Sequence, residues 1–266
     1  MTIAEEIREP AVAGSFYPED ESELREMVEK FLKDAGDVKI SKRLRGLVVP
    51  HAGYIYSGPV AAYGYKLLMK QDHKPERIIL IGPSHYAMFI GVAEVSARFW
   101  RTPLGLVPAE SIASKITDRS ILRIYPQAHA PEHSIEVQLP FLQTVLKEKF
   151  TIYPLLTGEV NPALLANALE PAIDDNTLFI VSSDLSHYYP YEQARRLDAV
   201  ANEAIPNLDF KRMEYAEACG KTGILTLMHI AKSKGWKGKL LDYRNSGDTA
   251  GPKDNVVGYG CYAFYG

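Results

Sequence analysis

The chain has 266 residues, 46% of them apolar or aromatic, and a formal net charge of −3 with acids and bases interspersed; this fits one large α/β domain with a sizeable core and excludes a basic nucleic-acid stripe. Its two cysteines, Cys219 and Cys261, leave no disulfide framework, as in a reducing compartment. The acidic start MTIAEEIREP lacks the apolar core of a signal peptide, and no stretch reaches the ~18 uninterrupted apolar residues of a membrane span, so a cytoplasmic protein with no membrane contact is expected.

Residues 11–18 (AVAGSFYP) form a short apolar segment. Leu24, Met27, Val28, Phe31 and Leu32 then follow helical spacing, with Asp20 and Glu23 as a capping-box-like start and Gly36 as the stop. A strand over 46–50 leads into His51 and HAGYIYSG, and a helix starts near Pro59, a residue suited to a first turn, and runs to about 70. A second strand, IILIG, leads to His85, and a further strand covers 89–95. After a turn-rich connection over 100–108, helices are predicted over 110–117 and 132–148, with Pro140 interrupting the second. A strand over 150–156 and a helix over 162–173 precede the apolar run of LFIVSSDLSHYY. Helices over 191–205 and 209–232, the latter broken around Gly220, lead to closing strands over 239–245 and 256–265, joined by SGDTAGPKDN. Val257, Tyr259, Cys261 and Ala263 alternate as in a strand with two different faces. With no linker, repeat or low-complexity segment, residues 1–266 read as a single α/β domain whose central, mostly parallel sheet is flanked by helices.

Three stretches share one shape: GLVVPHAGY, IILIGPSHY and LFIVSSDLSHYY are short apolar runs that break into turns carrying His51, His85 and His187. Runs of that kind are strands buried on both faces, and open α/β sheets bind ligands beyond the carboxyl ends of such strands. The three imidazoles therefore point to one pocket for a metal or a polar ligand, and imidazole suits iron, zinc, copper and nickel. The alternative is a hydrogen-bonded structural histidine at each strand end. Tyr54, Tyr86 and Tyr188 either wall that pocket or are half-buried aromatics.

Asp184 and His187 are three apart, which on a helical turn brings both to one face. Asp184 would then orient a histidine or cap the following helix, and His187 would serve as general acid or base. His133 sits in AHAPEHSIEVQLP with His129, Glu132 and Glu136, where the carboxylates suit a helix start and His133 suits substrate contact better than metal ligation. Cys219 reads by default as a small buried hydrophobe. Its neighbours Gly220, Lys221 and Thr222 are not a phosphate loop, because Tyr215 stands where that motif needs glycine. Ser84, Ser182 and Ser183 lie beside His85 and Asp184, but no nucleophile elbow surrounds them.

The set AVAGSFYP, VVPHAGYIYSGPVAAYGY, IILIGPSHY, EHSIEVQLPFLQ, SSDLSHY, ACGKTGI and GYGCYAFY, in this order over nearly the whole chain, resembles the Memo family (mediator of ErbB2-driven cell motility). The resemblance implies a fold like class III extradiol ring-cleavage dioxygenases, non-haem iron enzymes with a two-histidine, one-carboxylate ligand set. By motif match His51 and His85 fall at the two histidine ligands and His187 at the acid/base histidine, while Cys219 stands where the dioxygenases have their ligating Glu. Phe16 stands where the eukaryotic pattern has Trp beside the pocket. Three functions follow as expectations. The first is a protein with a non-haem metal pocket for iron(II) or copper, built from His51, His85 and Cys219. The second is a metal-dependent dioxygenase or other metalloenzyme acting on a small phenolic or enediol substrate, with His187 and Asp184 catalytic. The third is a protein- or peptide-binding module with a vestigial site. Phe16, Tyr54, Tyr86, His133 and Tyr188 are the expected pocket residues, and the ligand is a small molecule or a peptide.

Overall fold

The computed structural model describes residues 6–147 and 149–266; the first half of the acidic N-terminal segment and Glu148, the expected end of one helix, lie outside the described residues. In chain order the strands are β1 (Ile7–Arg8), β2 (Leu44–Val49), β3 (Arg77–Pro83), β4 (Val92–Glu94), β5 (Phe99–Thr102), β6 (Gly105–Pro108), β7 (Leu122–Ile124), β8 (Thr151–Thr157), β9 (Thr177–Ser182), β10 (His187–Tyr189), β11 (Lys237–Asn245) and β12 (Val256–Tyr265). The helices are α1 (Glu21–Asp34), α2 (Tyr54–Met69), α3 (Pro126–His129), α4 (Leu139–Leu146), α5 (Pro162–Leu169), α6 (Tyr191–Ala204), α7 (Phe210–Met213), α8 (Lys221–Ser233) and α9 (Ser246–Thr249).

The main sheet has the order β10-β12-β2-β9-β3-β8-β4-β7, with β11 also on β12. Its centre, β2-β9-β3-β8, is parallel, whereas β12 joins β2 and β4 joins β8 antiparallel, so the sheet as a whole is mixed. Strands β1, β5 and β6 make a small separate sheet. The apolar runs alternate between the two faces, as a period of two requires. Leu47, Val49, Ile78, Leu80, Leu178 and Ile180 enter one core, and Val48, Ile79, Ile81, Phe179 and Val181 enter the other. Helices α1, α2 and α4 cover the first face, and α5, α6, α7 and α8 cover the second. One sheet with a core on each face is a single α/β domain.

Local chemistry explains where the elements start. The Asp20 side chain caps α1 by accepting from the backbone of Ser22 and Glu23, and Leu24, Val28 and Leu32 bury its inner stripe. Helix α2 begins at Tyr54, earlier than Pro59 suggests, and holds that proline in its second turn. Small residues among its buried positions allow close approach: a Cβ on Gly64 would stand 2.9 Å from Cys261 Sγ.

Four sequence expectations are corrected. Residues 110–117 are not helical, because the buried Glu94 carboxylate takes the Ile112 N–H at 2.8 Å and the Ser111 hydroxyl at 3.1 Å, fixing a loop. The helix expected over 132–148 shrinks to α4 with Pro140 in its first turn, preceded by a 3-10 turn over Glu136–Gln138. The break expected around Gly220 is wider: residues 214–220 form turns and irregular backbone between α7 and α8. The segment from Asp184 to His187 is extended rather than helical, since Leu185 N–H donates to Gly258 O and Gly258 N–H to Ser186 O. Asp184 therefore caps no helix.

One buried ion pair fastens the N-terminal segment to the loop before α4. Arg8 pairs with Glu136, their side chains 5% and 0% exposed. Arg8 also donates to the carbonyls of His129 and Glu132, at 3.0 and 2.6 Å, and lies 4.4 Å over the Trp100 ring. Glu136 in turn accepts the backbone N–H groups of Ala11 and Val12 at 2.8 and 3.1 Å, and the Tyr17 hydroxyl. Arg8→Met leaves a buried carboxylate without its counter-charge and is expected to destabilise the fold by about 3–5 kcal/mol in a urea titration. Adding Glu136→Gln should recover only part of that loss, because its amide nitrogen would face a donor that Glu136 now accepts; a single variant as stable as wild type would show that the pair holds nothing.

Candidate metal centre

The parallel order β2-β9-β3 sets the carboxyl ends of three strands side by side, with Val49 in register with Ser182. His51 follows β2, Asp184 follows β9, and His85 follows β3, so all three leave the sheet at the same edge. His133 reaches that edge from the loop before α4. The His51 ring centroid lies 5.2 Å from that of His85 and 5.4 Å from that of His133, both edge-on, and the His85 and His133 rings stack at 4.7 Å. One ring nitrogen from each comes within 4.8 Å of the others, which is the spacing of donors able to share an ion.

Glu132 organises two of these histidines. Its Oε1 accepts His85 Nδ1 at 2.9 Å and the backbone N–H groups of His133 and Ser134 at 2.9 Å, while Oε2 accepts the His85 backbone N–H at 2.6 Å. A carboxylate only accepts, so Nδ1 of His85 carries the proton and its Nε2 keeps the lone pair a metal would use. Burial alone would raise the Glu132 pKa; the hydrogen bonds from His85 and Ser134 outweigh it and hold the carboxyl down to about 2. His51 is held well below the ordinary histidine value, chiefly by burial and then by the neighbouring His133 and His85. His133 is lowered by burial first, against the attraction of Glu132. Both are therefore neutral near pH 7, the form that ligates metals.

Asp184 and Cys219 flank His51 but are not part of that close group of three. Asp184 Oδ1 accepts the His51 backbone N–H at 2.7 Å, and its Oδ2 lies 4.0 Å from His51 Nε2. Burial raises its pKa to about 7, although the His51 N–H works the other way. Cys219 Sγ sits 3.3 Å from His51 Nε2 and accepts the Asp184 N–H at 3.2 Å; burial, then the Asp184 charge, push the thiol up to about 12.

A cavity of about 560 Å³ opens above these groups, within the range that holds a small ligand. Phe16, Tyr56, Tyr188 and Tyr259 supply aromatic wall, His51, His85, His133, Asp184 and His187 polar wall, and no Lys or Arg is among the lining residues described. Phe16 packs on His133 at 4.7 Å. His187, lowered by burial, lines the cavity from β10 and not from a shared turn with Asp184. Tyr188 is 72% exposed on the rim and adopts a left-handed φ of 62°. Tyr86 is also exposed, with its ring 6.2 Å from that of His133, and does not line the cavity. Tyr54 does not either: it is buried, and its hydroxyl donates to Val137 O at 2.6 Å. Sequence reasoning missed the clamp made by Glu132, and the walls Tyr56, Tyr259, Ser246 and Asn255. The closely spaced polar residues of AHAPEHSIE were the available signal for Glu132.

No described helix is long and apolar enough to cross a membrane. The profile of the family described as Memo-like protein matches residues 8–263. The chain is 35% identical over 275 residues to a MEMO1 family protein of Nitrosopumilus maritimus, covering 97% of this chain and 99% of the relative. It is 39% identical over 281 residues to one of Methanopyrus kandleri, covering 97% and 98%. To one of Saccharolobus solfataricus it is 37% identical over 276 residues, covering 95% and 97%.

Because the Glu132 pKa is depressed from 4.5 to about 2, its contribution to stability is complete above 4.5 and is lost as pH falls through about 2. Glu132→Gln should therefore be less stable than wild type at pH 7, with the difference narrowing as pH drops across that window. Thermal unfolding of both proteins between pH 7 and 2 measures it, and a difference independent of pH would contradict the assignment.

Proposed function

The chain belongs to the Memo-like family, and we propose that its role is to hold one transition-metal ion, iron(II) or copper, at the base of the cavity. The observation that carries this reading is the convergence of the His51, His85 and His133 rings, with the Glu132 carboxylate turning one of them outward. In this reading His51 and His85 are ligands and Cys219 supplies a thiolate, with His133 beside them as a further nitrogen donor. The 3.3 Å from His51 Nε2 to Cys219 Sγ, an S–H···N contact in the metal-free protein, matches the spacing of two donors on one ion: bonds of ~2.0 Å to nitrogen and ~2.3 Å to sulfur put them about 3.1–3.5 Å apart. The donor set mixes borderline imidazole with soft sulfur, which suits iron and copper better than calcium or magnesium. Bound there, such an ion would supply Lewis-acid and one-electron chemistry. The free thiols Cys219 and Cys261 agree with a reducing, cytoplasmic setting.

A second reading, a metalloenzyme acting on a small phenolic or enediol substrate, is favoured by the position and charge state of His187. Its neutral imidazole on the cavity wall can take a proton from a ligand lying between the aromatic walls, and the ionisable Asp184 lies across the same space.

Anaerobic calorimetry with iron(II) and with copper(I) tests the first reading. Wild type is expected to bind one equivalent, and His51→Ala and His85→Ala to weaken it at least about a hundredfold, as loss of a direct ligand exceeds the 10–100-fold typical of an outer-shell partner. Cys219→Ser and His133→Ala then report which third donor is used. Weak binding indifferent to all four substitutions would overturn the metal reading and leave the cavity as a recognition surface for a small molecule or peptide. Oxygen uptake with a panel of phenols that vanishes in His187→Ala, while the metal stays bound, would select the enzyme.

A further inference from the structure

Ser182, the terminal residue of β9, has a hydroxyl with three partners and room for no more. It donates to Ser134 O, lies 2.8 Å from Gln138 Nε2 and lies 3.0 Å from His51 Nδ1. The direction of each bond follows from its chemistry. Ser134 O is a carbonyl and can only accept, so it takes the single hydroxyl proton. The Gln138 amide is oriented by its own neighbours: Nε2 is 2.9 Å from Pro50 O, another pure acceptor, and Oε1 accepts the Tyr65 hydroxyl at 2.7 Å. Its NH2 group therefore donates to Ser182. With its proton spent and one lone pair taken, the serine oxygen can only accept from His51. Nδ1 of His51 must carry the proton.

We propose that Ser182 is a positioning residue that locks His51 in its Nδ1–H form and so turns the Nε2 lone pair toward the cluster of donors. The reverse tautomer would set the Nδ1 lone pair against the serine oxygen's lone pair. Relieving that would take the hydroxyl proton from Ser134 O and leave a buried carbonyl without its donor. Water cannot stand in, because Ser182, Ser134, Gln138 and His51 are between 0% and 2% exposed. On the other side of the ring, Cys219 Sγ faces Nε2 at 3.3 Å, the geometry of a weak S–H donor meeting a lone pair. Two unrelated devices thus prepare the histidines at the ends of β2 and β3, on either side of β9: a carboxylate for His85, and a saturated hydroxyl for His51. The tautomer follows from the hydrogen bonds alone; its bearing on affinity rests on the metal reading above.

The test is nitrogen-15 NMR of the histidine rings in the full-length, metal-free protein at pH 7.5. His51 is expected to be protonated on Nδ1, as His85 is, with His85 serving as the internal reference. In Ser182→Ala, His51 should move to a mixture of tautomers or to Nε2–H while His85 stays unchanged. Iron(II) affinity should fall about 10–100-fold, as for other partners that orient a metal-binding histidine, and Ser182→Thr, which keeps the hydroxyl, should restore both readouts. A wild-type His51 protonated on Nε2 overturns the proposal and requires no variant to fold. A folded Ser182→Ala with unchanged tautomer and affinity overturns it too. Tautomers as expected in a protein that binds no metal would uphold the role of Ser182 and sink the metal reading instead.

Discussion

The Glu132 carboxylate is almost fully buried and accepts four N–H groups: the ring and backbone of His85, and the backbones of His133 and Ser134. An ionised carboxylate withdrawn from water is costly unless every lone pair finds a donor. Here the donors come from two segments that do not pair through the sheet, the turn after β3 and the loop before α4. The carboxylate is therefore the joint between them. Behind it, Arg8 holds the Glu132 carbonyl and pairs with Glu136, which gathers the N-terminal segment and with it Phe16. Two acids four residues apart each collect a different part of the chain around His133.

Clustering three imidazoles at ring separations of 4.7–5.4 Å is tolerable only if they are not all charged. Burial lowers both His51 and His133; His133 and His85 lower His51 further, and His85 also lowers His133. The result is a wall of imidazole donors, His51 and His133 neutral among them, beside a cavity whose described lining contains no Lys or Arg. Such a wall complements a cation. An anionic ligand would meet no positive side chain there unless a metal ion supplied the charge.

The strand-end histidines were legible in the sequence because two independent rules coincide on them. The apolar runs before His51, His85 and Asp184 are buried on both faces, and central parallel strands align their ends. His133 is expected in the pocket and lines it, but it and Glu132 fall on a helix by spacing alone, because the periodicity of EHSIEVQLPFLQ is helical while its first residues are not. A side-chain acceptor for the backbone N–H groups of His133 and Ser134 competes with helix formation there, and sequence spacing does not reveal that Glu132 plays this part. Asp184 and His187 fit a helical turn by spacing, yet the partner that straightens them, Gly258, lies far along the chain on β12. Nearness to His51 in sequence makes Tyr54 either a cavity wall or a half-buried aromatic, but it opens α2, and the helix turns it into the core. Strand ends are local information; what meets them is not.

The contacts that build the site span most of the sequence. His51 meets Ser182 across 131 positions and Cys219 across 168, while Arg8 meets Glu136 across 128. Contacts of that range form only after long loops have been closed, and no fragment of the chain carries more than a few of the donors. The site therefore has no counterpart in the unfolded ensemble. A ligand that binds this site and not the unfolded chain is coupled to the folding of the entire domain: at a free concentration one hundred times its dissociation constant, it adds about 2.7 kcal/mol to global stability. Occupancy of one strand edge thereby governs how often the whole molecule opens, and with it how long the molecule survives in the presence of proteases.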